Sequence, residues 1–249
     1  MTRSSSPSPA PLPLQVAIDG PAGAGKSTVA RQVARVLGLT YVDTGAMYRA
    51  LAWTVLARNV SPDDADAVCR LAQSLHVTLE AVSDGVRVLA DGQDITPHIR
   101  TPEISRLTSP LSALPCVRTR MVALQQIMAA TQGVVMEGRD IGTVVLPQAG
   151  VKVFLTASPS ARARRRHAEL AARGIAYSLD DLEREIRERD TRDATRDTSP
   201  LSAAPDALLI DSDSLTAEQV VARILALAQS VPAPPAHAPL PHELPALTA

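Results

Sequence analysis

The sequence is short of lysine. Of its 25 basic residues only Lys26 and Lys152 are lysine, and the rest are arginine. It also lacks a surplus of either charge, since 26 acids against 25 bases leave a formal net charge of −1. A protein that grips nucleic acid along its phosphates carries a basic excess, so this balance speaks against that class. Aromatics are 2% of the chain, namely Tyr41, Tyr48, Trp53, Phe154 and Tyr177. That is too few to stack successive bases of a single strand. No apolar run approaches the roughly 18 residues of a membrane span. MTRSSSPSPAPLPL at the start has no apolar core of the kind a secretory leader needs. Cys69 and Cys116 are too few for a disulfide framework or a four-ligand zinc site. They are expected to be two buried thiols of a protein in the reducing cytoplasm.

Proline, by contrast, is plentiful. Half of the 20 prolines sit in two tails, Pro7, Pro9, Pro11 and Pro13 at one end and six within 232–249 at the other. With few packable aliphatics, tails 1–13 and 231–249 are expected to be disordered, leaving a folded body over 14–230. Inside the body, strand and helix signals alternate. LQVAID, LTYVD, VVMEG, VKVFLT and ALLID read as five buried strands. Helical periodicity follows over 26–37, 44–59, about 117–131, about 158–173, 180–197 and 216–230. Uninterrupted apolar strands, each followed by a helix, indicate an α/β protein with a parallel sheet covered on both faces. One segment breaks the rhythm: HVTLEAV, then Ser83-Asp84-Gly85, then VRVLADG, reads as an antiparallel hairpin. It is either a small insertion over about 70–115 or an edge hairpin of the main sheet. The insertion reading leaves a core of 14–69 and 116–230.

Gly20-Pro21-Ala22-Gly23-Ala24-Gly25-Lys26-Ser27 fits G-x-x-x-x-G-K-[ST] and lies between a predicted strand and a predicted helix. In such a loop backbone N–H groups turn inward around a phosphate, and the helix start adds its positive dipole end. Lys26 reaches the β- and γ-phosphates, and the Ser27 hydroxyl can ligate Mg²⁺. Gly20 through Thr28 are therefore the expected ATP-phosphate residues. Asp19 and Glu137, each ending a strand, are candidate carboxylates near that metal. A GTPase reading guanine through N-K-x-D is disfavoured, because Lys152 sits in V-K-V-F and no third lysine exists.

The arginines then matter. Arg49 lies one turn into a helix, and Arg139 follows a strand in Glu137-Gly138-Arg139-Asp140, where parallel sheets present ligands. Arg162, Arg165 and Arg166 share one helix face, as do Arg189, Arg192 and Arg196. Acid-before-base pairs Glu183–Arg187, Glu185–Arg189 and Glu188–Arg192 also fit a solvated helix stitched by ion pairs. Like charges converging on two neighbouring helices fit a lid over about 157–196, bringing charge to a transferring phosphoryl group and excluding water.

With the P-loop at 20–27, YVDTGAMYR at 41–49, EGRDIGTVV at 137–145 and RERDTRDATR at 187–196 in this order, the chain resembles the bacterial cytidylate kinases from about Val16 to Leu227. The resemblance implies a P-loop nucleoside-monophosphate-kinase fold with a small insertion and a short lid. It implies transfer of the γ-phosphoryl of ATP to CMP or dCMP with Mg²⁺. Thr44, Arg49 and Arg139 would hold the CMP phosphate. Ser109, Arg118 and Asp140 would read cytosine, and Arg189 and Asp193 would hold the ribose. Arg196 would bind phosphate late in the reaction, and the lid arginines would come from Arg162, Arg165 and Arg166. The catalytic set is then Lys26, Arg139, Arg162, Arg165, Arg166 and Arg196. The expected partners are small molecules, with no nucleic acid and no membrane, for a cytoplasmic monomer. Another small-molecule P-loop kinase, such as a UMP kinase, is the alternative.

Overall fold

The computed structural model describes residues 13–82 and 85–231. The expected disordered tails, apart from Pro13 and Val231, lie outside the described residues, as do Ser83 and Asp84 of the expected turn. The elements in chain order are β1 (Gln15–Asp19), α1 (Lys26–Leu37), β2 (Thr40–Asp43), α2 (Thr44–Ala57), α3 (Ala65–Ser74), β3 (Val77–Val82), β4 (Gly85–Ala90) and β5 (Gln93–Asp94). They continue with α4 (Pro102–Leu111), α5 (Pro115–Ala129), β6 (Val134–Gly138), a π-helical turn (Ile141–Val145), β7 (Val151–Thr156), α6 (Pro159–Ala172), α7 (Leu179–Thr195), β8 (Leu208–Asp211) and α8 (Ala217–Ser230).

The five apolar runs pair as one parallel sheet in the order β2-β6-β1-β7-β8. Every residue of β1 and β6 is buried, as expected for strands covered on both faces. Val29 and Val33 of α1 and Val220 and Ile224 of α8 close one face over Val16, Val153 and Leu155. Ala129 of α5 and Ile141 and Val145 of the π-helical turn close the other over Ala17 and Met136. The α/β expectation therefore holds, with the P-loop at the carboxyl end of the central strand β1.

The off-rhythm hairpin is also real, and it lies outside the parallel sheet. Strands β3, β4 and β5 form a separate antiparallel sheet. Its third strand was not read from the sequence. Asp91 and Gly92 both take positive φ between β4 and β5, the backbone of a tight two-residue hairpin turn. Helix α4 was also missed, because its prolines look like breakers. Pro102 stands in the first turn, where no intrahelical donor is lost, and Pro110 comes just before the end. This layer packs its own apolar centre from α2, α3, α5, β4 and Ile95.

The two-thiol expectation is corrected. Cys69 of α3 and Cys116 of α5 are joined as a disulfide, with Cα atoms 5.7 Å apart across 47 residues of chain. Both are only partly buried. Helix α3 turns Val68, Leu71 and Ala72 inward toward the core it shares with α5, which brings the neighbouring Cys69 beside Cys116. Spacing along the chain carries no trace of that meeting.

Candidate active site

The P-loop leaves β1 at Gly20, whose φ is +144° and whose added Cβ would lie 1.9 Å from the carbonyl oxygen of Leu155. Only glycine lets the chain pass β7 so closely. Three residues on, Gly23 at φ +78° presses on Arg162, and Gly25 at φ +93° starts α1. Lys26 is buried, with Nζ donating to the carbonyl oxygen of Pro21 at 2.7 Å. Burial and the nearby Arg139 charge pull its pKa down to about 7.

The two candidate carboxylates separate. Both oxygens of Asp19 are taken by backbone N–H groups, Ile141 at 2.8 Å and Gly142 at 2.7 Å. Burial still pushes its pKa up to about 6. Asp19 anchors the π-helical turn after β6, and both of its oxygens are already committed there. Glu137 is different. Its carboxylate is buried and accepts from the Tyr41 hydroxyl at 2.5 Å, with Ser27 beside it. Burial, then the Asp43 charge, raises its pKa.

On the β2–β6 side the expected acceptor residues come together. Thr44 donates to the carbonyl of Glu137 at 2.7 Å. Arg49 donates to Asp43 at 2.7 Å, and Arg100 adds a contact at 3.3 Å. Burial alone would raise the Asp43 pKa, but Arg49 and Arg100 hold it low. Arg139 donates through Nε to Asp193 at 3.1 Å, with Arg189 and Arg196 each 3.8 Å from the same carboxylate. Those three arginines overcome burial and keep Asp193 below the usual carboxylate range. Arg189 is itself pulled down to about 10, by burial and then by Arg139. Arg118 donates to Asp140 and to the carbonyl of Ser112 at 3.2 Å, and lies over the Tyr48 ring. Ser109 accepts from Arg192 at 2.8 Å.

Four of these arginines keep a buried nitrogen with no hydrogen-bond partner: Arg49 Nε, Arg118 Nε, Arg189 Nε and Arg196 Nη2. Buried polar atoms are normally satisfied, so these unsatisfied donors are free to take an anion or polar ligand. Beside the P-loop, toward β7 and β8, an open groove of about 480 Å³ is lined by Pro21, Phe154, Arg162, Asp190, Asp211 and Asp213, among others. The phosphate loop is thus flanked by an arginine cluster, whose Arg139 and Arg189 charges act on Lys26, and by this groove.

The three candidate lid arginines are not equivalent. Arg162 is buried against the P-loop, donating to the carbonyl of Ala22 at 3.1 Å and forking onto Asp190. Arg165 is held by Ser212, through its carbonyl at 2.6 Å and its hydroxyl at 3.2 Å. Arg166 pairs with Glu169 along its own helix. Sequence reasoning assigned no role to Asp190, Arg100 or Tyr48, and placed Arg192 only on the arginine face of the lid. Asp190 and Arg192 sit in a run of alternating charges that also reads as a solvated helix, and only their partners tell the two apart. The helix pairing expectation is partly corrected. Glu183–Arg187 forms at 2.5 Å, but Glu185 accepts from Tyr177, while Arg189 and Arg192 turn to Asp193 and Ser109.

A parallel α/β sheet with a P-loop at its central strand, a buried arginine cluster beside it and a groove at the loop's edge defines a P-loop kinase. The chain belongs to the cytidylate kinase family, whose pattern it matches over residues 16–230. It is 52% identical over 212 residues to a cytidylate kinase of Pelotomaculum thermopropionicum, covering 85% of this chain and 94% of that one. A cytidylate kinase of Desulfitobacterium hafniense is 51% identical over 213 residues, with 86% and 91% covered. One of Carboxydothermus hydrogenoformans is 49% identical over 211 residues, with 85% and 95% covered. Among the described residues no helix is long and apolar enough to cross a membrane.

Proposed function

We propose that this chain transfers the γ-phosphoryl group of ATP to CMP or dCMP, giving ADP and CDP or dCDP. The observation that carries the reading is the set of buried, partly unsatisfied arginines gathered by Asp193 and Asp140 beside the P-loop. Such a constellation suits a monophosphate bearing a base with both donors and acceptors. Thr44, Arg49 and Arg139 hold its phosphate, Arg189 and Asp193 its sugar, and Ser109, Arg118 and Asp140 its base. The Asp140 carboxylate accepts from the exocyclic amine of cytosine, while Arg118 donates to N3 and O2. Uracil presents a carbonyl where cytosine has the amine, so two acceptors would face each other.

ATP threads the P-loop, with its nucleoside in the groove on the β7–β8 side. The residues present fit a hard cation such as Mg²⁺. Ser27 brings a hydroxyl and Glu137, beside it, a carboxylate, and water and phosphate oxygens complete such a shell. When bound, that ion neutralises charge on the phosphates. The protein's own part is positioning and electrostatic stabilisation, with no covalent enzyme intermediate. Lys26 balances charge at the β- and γ-phosphates. Arg162 stands over the loop from the donor side, and Arg139 and Arg196 face it from the acceptor side. Residues of about 157–196 act as the lid, and the layer built on β3–β5 widens the acceptor compartment. The enzyme is expected to act as a monomer in the cytoplasm, where ATP is supplied.

Equilibrium binding to the nucleotide-free protein tests the compartment assignment. Calorimetry should show CMP binding without ATP and UMP binding much more weakly. Equal affinity for the two, or no CMP binding unless ATP is present, would overturn it.

A further inference from the structure

Arg162 is the one lid arginine lodged on the P-loop, and its surroundings are unusually complete. Its Nε donates to the carbonyl of Ala157 at 2.9 Å, and Nη1 donates to the carbonyl of Ala22 at 3.1 Å. Asp190 takes the fork, accepting from Nη1 at 3.0 Å and from Nη2 at 2.5 Å. A guanidinium has five N–H hydrogens. Four are committed, which leaves a single Nη2 hydrogen for any further acceptor. The side chain is 3% exposed, so without Asp190 the charge would be buried and unpaired. Asp190 lies on α7, three residues before Asp193, and Asp193 accepts from Arg139 in the acceptor compartment. One turn of α7 therefore presents one carboxylate to Arg139 of the cluster and another to Arg162 of the groove.

We propose that Asp190 is a positioning residue for phosphoryl transfer: it holds the Arg162 guanidinium edge-on to the P-loop carbonyl of Ala22, so that the remaining Nη2 hydrogen is reserved for an oxygen of the transferring group. The proposal rests on the reading above that Arg162 serves the transfer. The fork fixes the plane of the guanidinium before substrate arrives, so less reorganisation accompanies the reaction. Held only by the carbonyls of Ala157 and Ala22, the guanidinium would lose the contact that fixes Nη2. Asp190 also lines the groove beside the P-loop, and in this account its effect on the transfer step passes through Arg162.

The test is a double-mutant cycle on kcat, with CMP affinity measured separately in the absence of ATP. Asp190→Ala and Asp190→Asn should each lower kcat by about 10- to 100-fold, while the CMP dissociation constant stays as in the parent protein. Asp190→Glu should recover part of the loss, because it restores a carboxylate acceptor. Asp190→Asn keeps the side-chain shape, so it tests the idea even if the alanine variant folds poorly. On an Arg162→Ala background, Asp190→Ala should cause no further drop in kcat. A second drop of the same size on that background would show that Asp190 acts independently of Arg162 and would overturn the proposal. Equal loss of CMP affinity and kcat in Asp190→Asn would reduce it to a structural role and overturn it too. If Arg162→Ala itself left kcat untouched, the lid-arginine reading would fail first, a result distinct from additivity.

Discussion

Arg118 and Asp140 form an ion pair that is almost completely buried, 22 residues apart in sequence and drawn from α5 and the start of the π-helical turn after β6. A buried pair is costly to assemble and costly to break, so it marks a place where both charges are needed. Here it presents a donor and an acceptor to one planar ligand. Asp140→Asn should lower kcat/KM for CMP by about 10- to 100-fold and shrink the preference for CMP over UMP, as read from parallel steady-state assays. Unchanged discrimination would move the base elsewhere.

Lys26 carries a pH prediction. Its pKa in the free protein is lowered to about 7 by burial and by Arg139. A polyphosphate bound beside it favours the charged form and raises that value. ATP binding should therefore take up close to one proton at about pH 8 and almost none at about pH 5.5. ATP affinity should weaken as pH rises above the free-protein pKa. Calorimetry in buffers of different ionisation enthalpy measures the uptake directly. Lys26→Ala should abolish turnover and the proton uptake while leaving CMP binding in place.

Asp19 supports the acceptor side from below. Its two oxygens hold the backbone N–H groups of Ile141 and Gly142, next to Asp140. Asp19→Asn loses one acceptor and turns an amide hydrogen toward a backbone donor. The cost should be about 1–3 kcal/mol in chemical unfolding. Because burial raises the Asp19 pKa to about 6, the folded state binds this proton more tightly than the unfolded chain. Its contribution to stability therefore falls as pH rises from about 4 to about 6, and the asparagine variant should lose that slope.

The Cys69–Cys116 link gives a redox-dependent stability. Closing a loop across 47 residues should contribute about 2–4 kcal/mol. Thermal unfolding of the oxidised protein should lie roughly 4 °C or more above that of the reduced protein. Cys116→Ala should melt at the same temperature with and without reductant. Identical melting of the oxidised and reduced parent would contradict the link.

The parts legible in the sequence were those set by local pattern. The five apolar runs gave the strands of the parallel sheet, and the glycines and Lys26-Ser27 marked the P-loop because strand, loop and helix are contiguous. The parts that stayed hidden depend on distant partners. Asp19, ending its strand, reads as a neighbour of the metal, and only the arrival of Ile141 and Gly142 shows its oxygens holding backbone. Arg192 had an acid at helical spacing, yet Ser109 of α4 claims it. Lys152, without a visible role in its strand, proves to span from the carbonyl of Pro147 at 2.6 Å to Asp206. The cysteines met because α3 packs on α5, which no spacing rule foretells.

The central claim is that the arginine compartment receives a cytidine monophosphate and passes it the γ-phosphoryl group. The most direct measurement is ADP formation from ATP with CMP, dCMP, UMP and AMP offered separately, with the phosphorylated product identified in each case. The account predicts rapid turnover with CMP and dCMP, yielding CDP and dCDP, and little with UMP or AMP. Turnover with UMP or AMP but not with either cytidine nucleotide would contradict it.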